Sequence, residues 1–276
     1  MRTRGRRTGA FAAAACAATV FFAAVLGQAA QPSRPPPGAA EKLKSGDPER
    51  IREGLEDARL AGKSAASLAT EIAALLDRGL SAPLAESALA TLGELEMPAT
   101  TPSIAVYLQH RDPKVRRTAV RALARTKGPA AIPALRRALS DPDGGVRGGA
   151  ATGLGMLRAR VAMADLGAAL DHHVIEASAP IGQLCNPDEC HDFLGRLGRL
   201  PFELLAGGLD AMLFRQTSEV SEDMKANVIG RVRELQTPEV HDFLERLQKR
   251  WPEGTSPRLK ALIDQAVKAT ARPSEP

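Results

Sequence analysis

The stretch "LCNPDECHDFLGRL" (184–197) concentrates the residues best suited to chemistry, because Cys185 and Cys190 are followed at once by His191. Three chemistries use such residues: a metal site, a thiol redox site and a structural disulfide. Zinc takes four ligands, usually at tighter spacing, and Cys-x4-Cys-His supplies three, two of them adjacent. His172-His173 could lend a fourth, so a metal site stays open as the rival reading. Redox catalysis uses Cys-x-x-Cys, which is absent here. Asn186-Pro187 turns the chain between two expected helices, and a four-residue interval across such a turn can bring two β-carbons within disulfide range. A second copy of the motif, "HDFLERL" (241–247), carries Val240 where the first has Cys190. His191 and His241 therefore belong to a helix-start pattern, with Phe193, Leu194, Leu197 and Phe243, Leu244, Leu247 spaced as core faces.

Other chemistry is sparse. "AGKSA" (61–65) has the flavour of a phosphate-binding loop, but Asp57 stands where the first glycine is needed and no strand precedes it, so it reads as a turn. The chain has no HExxH, no GxSxG and no dinucleotide-binding glycine fingerprint. We expect no catalytic residues, no cofactor and no resident metal.

Residues 1–29 read as a signal peptide. Arg2, Arg4, Arg6 and Arg7 precede an apolar run from Ala10 to Leu26, and Gly27-Gln28-Ala29 suits cleavage before Ala30. An uncleaved inner-membrane anchor is the alternative; after cleavage no stable membrane insertion is expected. The expected destination is the periplasm or the outside of the cell, where the oxidising milieu makes a Cys185–Cys190 disulfide the default. The chain holds 37 Lys+Arg against 32 Asp+Glu, a net +5. Losing the leader removes four arginines and no acids, which leaves the charge near neutral. The basic balance is thus no nucleic-acid footprint, and one Tyr and one Trp give no stacking platform. "QPSRPPPG" (31–38) marks a Pro-rich linker, set at 30–46, before a folded region at 47–270 and a loose tail at 271–276.

A shift of 31 residues superposes three segments. Leu84, Val115 and Val146 share a column, as do Ala88, Ala119, Ala150 and Leu92, Leu123, Leu154. After a break, Ile104, Leu135 and Leu166 align, followed by Leu108, Leu139 and Leu170. Both halves have helical spacing, so each unit is a pair of amphipathic helices that must stack on its neighbours to bury its apolar faces. The expected fold is all-α, an α-solenoid of stacked antiparallel helix pairs. Asp112-Pro113 and Asp141-Pro142 supply the pattern of an N-cap acceptor before a first-turn proline. Gly148, Gly149, Gly153 and Gly155 sit within one expected helix, which suggests close packing or a flexible joint.

"DPKVRRTAVRALARTKGPAAIPALRRAL" (112–139) resembles the HEAT repeat, in particular the short HEAT-like type of phycobilin lyases. Asp112-Pro113, Val115-Arg116, Ala119, Leu123, Leu135 and Leu139 carry the resemblance, and 141–170 repeats it. The resemblance implies stacked helix pairs that bind a protein partner on the inner face, lined by the second helices at roughly 102–110, 130–139 and 161–171. Val106, Tyr107, Arg136 and Arg137 would then face the partner. Arg117, Arg121 and Arg125 form a stripe on a first helix, which such solenoids usually turn outward; the stripe is a solvated face or a patch for an anionic partner. The functional expectation is an exported, non-enzymatic scaffold. A lyase-like enzyme or a metal-handling periplasmic protein is the alternative.

Overall fold

The computed structural model describes residues 36–271; the expected signal peptide, the first part of the linker and residues 272–276 lie outside the described residues. Among the described residues the chain is helical, with only an isolated bridge between Leu197 and Leu200 in place of strands. Helices α1 (Ala39–Lys44), α2 (Pro48–Ala61), α3 (Ala69–Asp77), α4 (Ala82–Leu95) and α5 (Thr101–Val106) open the array. They are followed by α6 (Pro113–Arg125), α7 (Ile132–Ala138), α8 (Gly144–Met156), α9 (Met163–Asp171) and α10 (Ser178–Leu184). Then come α11 (Pro187–Leu194), α12 (Phe202–Phe214), α13 (Glu222–Arg233), α14 (Pro238–Arg250) and α15 (Pro257–Thr270).

The even-numbered helices from α2 to α14 pack each on the next. Beside them run the odd-numbered helices, with α1, α3 and α5 in succession and α13 against α15. This is an α-solenoid of helix pairs. Its core is made of the columns that the 31-residue shift aligns: Val115, Val146, Ala88, Ala119, Ala150, Leu92, Leu123, Leu154, Ile104, Leu135, Leu166 and Leu170 are each fully buried. No unit could bury these residues alone, so the neighbour's face completes each one.

Local chemistry sets the helix starts. Asp47 accepts from the amides of Glu49 and Arg50 with Pro48 behind it, and Asp112 accepts from Lys114 with Pro113 behind it. Asp141 keeps the same contact, accepting from the Asp143 amide at 2.8 Å, but the helix does not start there. The cap of α8 is Asp143, which accepts from Val146 at 2.9 Å, while Asp141 holds Arg116 through two 2.8 Å hydrogen bonds. The Asp141 carboxylate is thus shared between its own turn and the previous repeat, and the helix begins after the next acid. The folded body also starts earlier than the expected boundary at 47, because Ala39 and Leu43 of α1 are buried in the core.

The glycines of α8 answer to packing. A β-carbon at Gly153 would press on Ala124 and Leu135 at 3.0 and 3.2 Å, and one at Gly155 would meet Pro180 at 2.8 Å. These approaches let α8 sit close to α6 and α10.

Ion pairs one repeat apart tie the units together. Arg125 reaches Glu94 and Lys127 reaches Glu96, each at 2.7 Å and each across 31 residues. Arg136 meets Asp165 at 2.6 Å, and Arg160 meets Glu189 at 2.8 Å. Arg116 and Arg147 also reach back to backbone carbonyls ahead of their own helices, Arg116 to His110 and Arg147 to Asp141.

Candidate binding face

The side chains expected to meet a partner lie on successive odd-numbered helices and the turns that follow them. Val106 ends α5 and is 67% exposed. It lines a groove of about 550 Å3 shared by two repeats, with Leu76, Asp77 and Leu80 on one side and Gln109 and His110 on the other. Tyr107 belongs to the same groove but is not presented as a free surface residue. It is 8% exposed, and its hydroxyl donates to the Leu76 carbonyl at 2.8 Å, one repeat back. The expectation of an open Tyr107 is corrected on that ground: the ring packs into the junction and the hydroxyl satisfies the carbonyl end of α3. Burial pushes the phenol pKa up, and the charge of Asp77 adds to this while the Leu80 backbone works against it. His110 stacks beside the tyrosine ring at 6.1 Å, and its Nδ1 accepts from the Asp112 amide at 3.0 Å.

Arg136 and Arg137 are both exposed at the end of α7. Arg136 is committed to Asp165, whereas Arg137 makes no ion pair among the described residues. The arginine stripe of α6 is largely spent on neighbouring repeats. Arg117 grips Asp143 through Nε and Nη2 at 2.8 and 2.6 Å, and Arg125 holds Glu94. The Arg117 guanidinium is the main reason that the Asp143 carboxyl stays far below the usual carboxylate range. Of the three, Arg121 alone has no carboxylate partner among the described residues, donating to Thr118 of its own helix at 3.1 Å. Two of the three arginines in this cationic stripe are thus paired by inter-repeat contacts.

Cys185 and Cys190 are joined in a disulfide with Cα atoms 5.2 Å apart, and both are 1% exposed. The turn between them has a capping box: Asn186 accepts from the Glu189 amide, and Glu189 accepts from the Asn186 amide. Neither of these two cysteines is then a thiolate that could ligate a metal. Among the described residues no group of three or more His, Cys, Asp or Glu side chains converges as metal ligands would. His172 and His173 are exposed in the turn after α9, and His191 is exposed on α11. His241 binds Thr270 through Nδ1 at 3.0 Å. Phe193, Leu194, Phe243 and Leu244 fill the core, as their spacing implies.

Leu76, Leu80 and Gln109 complete the groove, and sequence reasoning passed over them. The signal was available, since Tyr107 lies one repeat beyond Leu76.

A family model of HEAT repeats matches residues 70–155 and 100–177. No curated protein matches the chain. Among solved structures, a homology model of the full-length AP-3 complex in an intermediate open conformation aligns with a TM-score of 0.54 at 14% identity, covering 84% of this chain and 50% of that chain. The complex of CpcE and CpcF of phycocyanin lyase from Nostoc sp. PCC7120 aligns at 18% identity with a TM-score of 0.46, over 91% of this chain and 98% of that one. A designed armadillo repeat protein aligns at 16% identity with a TM-score of 0.42, over 85% and 99% of the two chains. At these identities the likeness concerns the fold. Among the described residues no helix is long and apolar enough to cross a membrane. The 31-residue columns, the stacked pairs and the family match agree: residues 70–177 are HEAT-like repeats within an α-solenoid.

Proposed function

We propose that this chain is an exported, non-enzymatic scaffold that binds a protein partner along its odd-numbered helices. One observation carries the reading: Val106, a large apolar side chain 67% exposed, lies on a groove of about 550 Å3 built from two adjacent repeats. An apolar anchor point rimmed by Asp77, Arg78, Gln109 and His110 has the layout of a protein interface, with apolar contact inside and polar groups around it. Arg137, free of ion pairs, adds an exposed guanidinium on a later odd-numbered helix, and arginine is enriched at such surfaces. Repeat solenoids commonly use an extended face of this kind for recognition.

The test is site-specific photocrosslinking in the native envelope fraction. A photoreactive residue at Val106 or Arg137 should give one shared protein adduct, and a Val106→Asp change should abolish the adduct formed from position 137. The same probe at Arg121, on the even-numbered row, should give none. Adducts from Arg121 but not from Val106 would move the interface to the other row. Export rests on residues 1–29 and has its own test: N-terminal sequencing of the mature protein should begin near Ala30, and an intact Met1 on cytoplasmic protein refutes it.

A further inference from the structure

Four helix ends meet around a small cavity of about 240 Å3 in the C-terminal part of the array. Phe214 and Arg215 come from the end of α12, Lys225 from the first turn of α13, Trp251 from the end of α14, and Ser256 and Leu259 from the start of α15. Among the described residues no carboxylate lines this cavity.

Its donors are under-used. Lys225 is 5% exposed, and its ammonium donates to the Arg215 carbonyl, the open C-terminal end of α12. An ammonium has three N–H donors, and Lys225 has no ion pair within the described residues. The Trp251 Nε1–H is buried and has no acceptor among the described residues. A buried donor without a protein partner is rare in folded proteins, and Trp251 places one in the wall of this cavity. The N-terminus of α15, capped by Ser256 through the Leu259 amide, adds positive potential on the same side.

We infer that this cavity binds a small organic carboxylate with an apolar body. One or both carboxylate oxygens take the free N–H groups of Lys225 and the indole N–H of Trp251, while the body lies against Phe214 and Leu259. The volume falls below the ~300–1,000 Å3 of drug-sized pockets, which sets the ligand at the size of a short branched acid. Burial pushes the Lys225 pKa down, Glu222 opposes this and the Arg215 charge adds to it, so an anion in the cavity would relieve a desolvated cation. The assignment is independent of the partner-binding face.

Trp251 is the only tryptophan in the chain, so its emission reports on the site directly. The full chain is titrated with 3-methylbutanoate, with the neutral amide of the same acid and with inorganic phosphate. The carboxylate should change the emission saturably within the millimolar range, and the amide should bind about tenfold more weakly, as the loss of a charge-assisted hydrogen bond implies. Lys225→Met should weaken the carboxylate by at least a similar factor with unchanged helicity. If that variant does not fold, Trp251→Phe followed by calorimetry should still show weakened binding. Equal responses to acid and amide, no saturable response, undiminished binding in the folded variant, or binding of phosphate without the carboxylate would each overturn the assignment.

Discussion

The hydroxyl of Ser178 accepts the Gly208 amide at 2.9 Å and donates to the Leu205 carbonyl at 3.2 Å, so a side chain of α10 is inserted into the backbone ladder of α12. Such an approach needs bare backbone on both helices. A β-carbon at Gly182 would overlap the Gly208 carbonyl, and one at Gly208 would overlap Phe193 and the Ser178 carbonyl. Gly182→Ala should therefore cost about 3 kcal/mol, the upper end of overpacking penalties. Gly207→Ala is the control. Its new methyl would meet Ala179 at an ordinary 3.8 Å, and better helix propensity should leave stability level or raise it by about 0.5 kcal/mol. Urea unfolding of both variants reads the contrast.

Arg116 and Asp141 have side chains only 12% and 10% exposed, and both oxygens of the acid are engaged. Removing the cation leaves a shielded carboxylate, and the His110 carbonyl also loses its donor. Arg116→Ala should cost about 2 kcal/mol. Arg258 and Asp223, 58% and 83% exposed, form the comparison pair, and Arg258→Ala should shift stability by less than about 1 kcal/mol. Thermal melts of the two variants should separate clearly.

Acid should weaken the array through its inter-repeat pairs. The carboxyls of Asp143, Asp171 and Glu96 are held below their ordinary values, chiefly by hydrogen bonds from Arg117, Arg196 and Lys127. A carboxyl whose pKa is lower when folded binds fewer protons in the native state. Its contribution is present above the unfolded values of 3.8 and 4.5 and is lost as pH falls through the folded ones. Urea midpoints should be level near neutrality and decline below about pH 5. Asp143→Asn should make that decline shallower, and an unchanged slope would refute the role given to this pair.

The disulfide closes a very short loop, and in the chain-entropy model its removal costs about 2 kcal/mol. Cys185→Ser with Cys190→Ser should lower the urea midpoint accordingly and leave the helical signal intact. The Cys185 carbonyl also accepts Arg215 Nη1 at 2.8 Å, so proteolytic sensitivity should rise first near the end of α12. Alkylation of native protein should modify neither cysteine before reduction.

Much of this architecture could be read from residue types. The 31-residue shift found every helix pair between α4 and α9 because each buried column needs the same small or branched side chain in every repeat. The same shift would have paired Glu94 with Arg125 and Glu96 with Lys127, but charges on a solvated face carry no pattern until two faces are known to meet. Tyr107 looked like a presented residue because spacing cannot tell the lip of a groove from its floor. Asp141 looked like the cap because Asp-Pro is a good cap signal, and only the fold shows that it divides its carboxylate between the Asp143 amide and Arg116 while Asp143 caps α8. Beyond Leu200 the repeat lengthens: Arg250 meets Asp210 across 40 residues and Arg258 meets Asp223 across 35. No single shift could align those helices, and the Lys225–Trp251 cavity lies among them.

The contacts across 31 residues also govern how the gene for such an array can change. At the first column Glu94 is followed by Arg125 and then by Met156, and at the second Glu96 is followed by Lys127 and then by Arg158. The acids stand in one repeat and the bases in the next, so adjoining units are unlike partners. A tandem duplication of 113–143 would bring Arg125 against a second Arg125 and Lys127 against a second Lys127. Swapping two units would do similar harm. The helix pairs share one shape, yet neighbouring units carry complementary charges, so a copied middle would add two exposed like-charge contacts, each costing under about 1 kcal/mol.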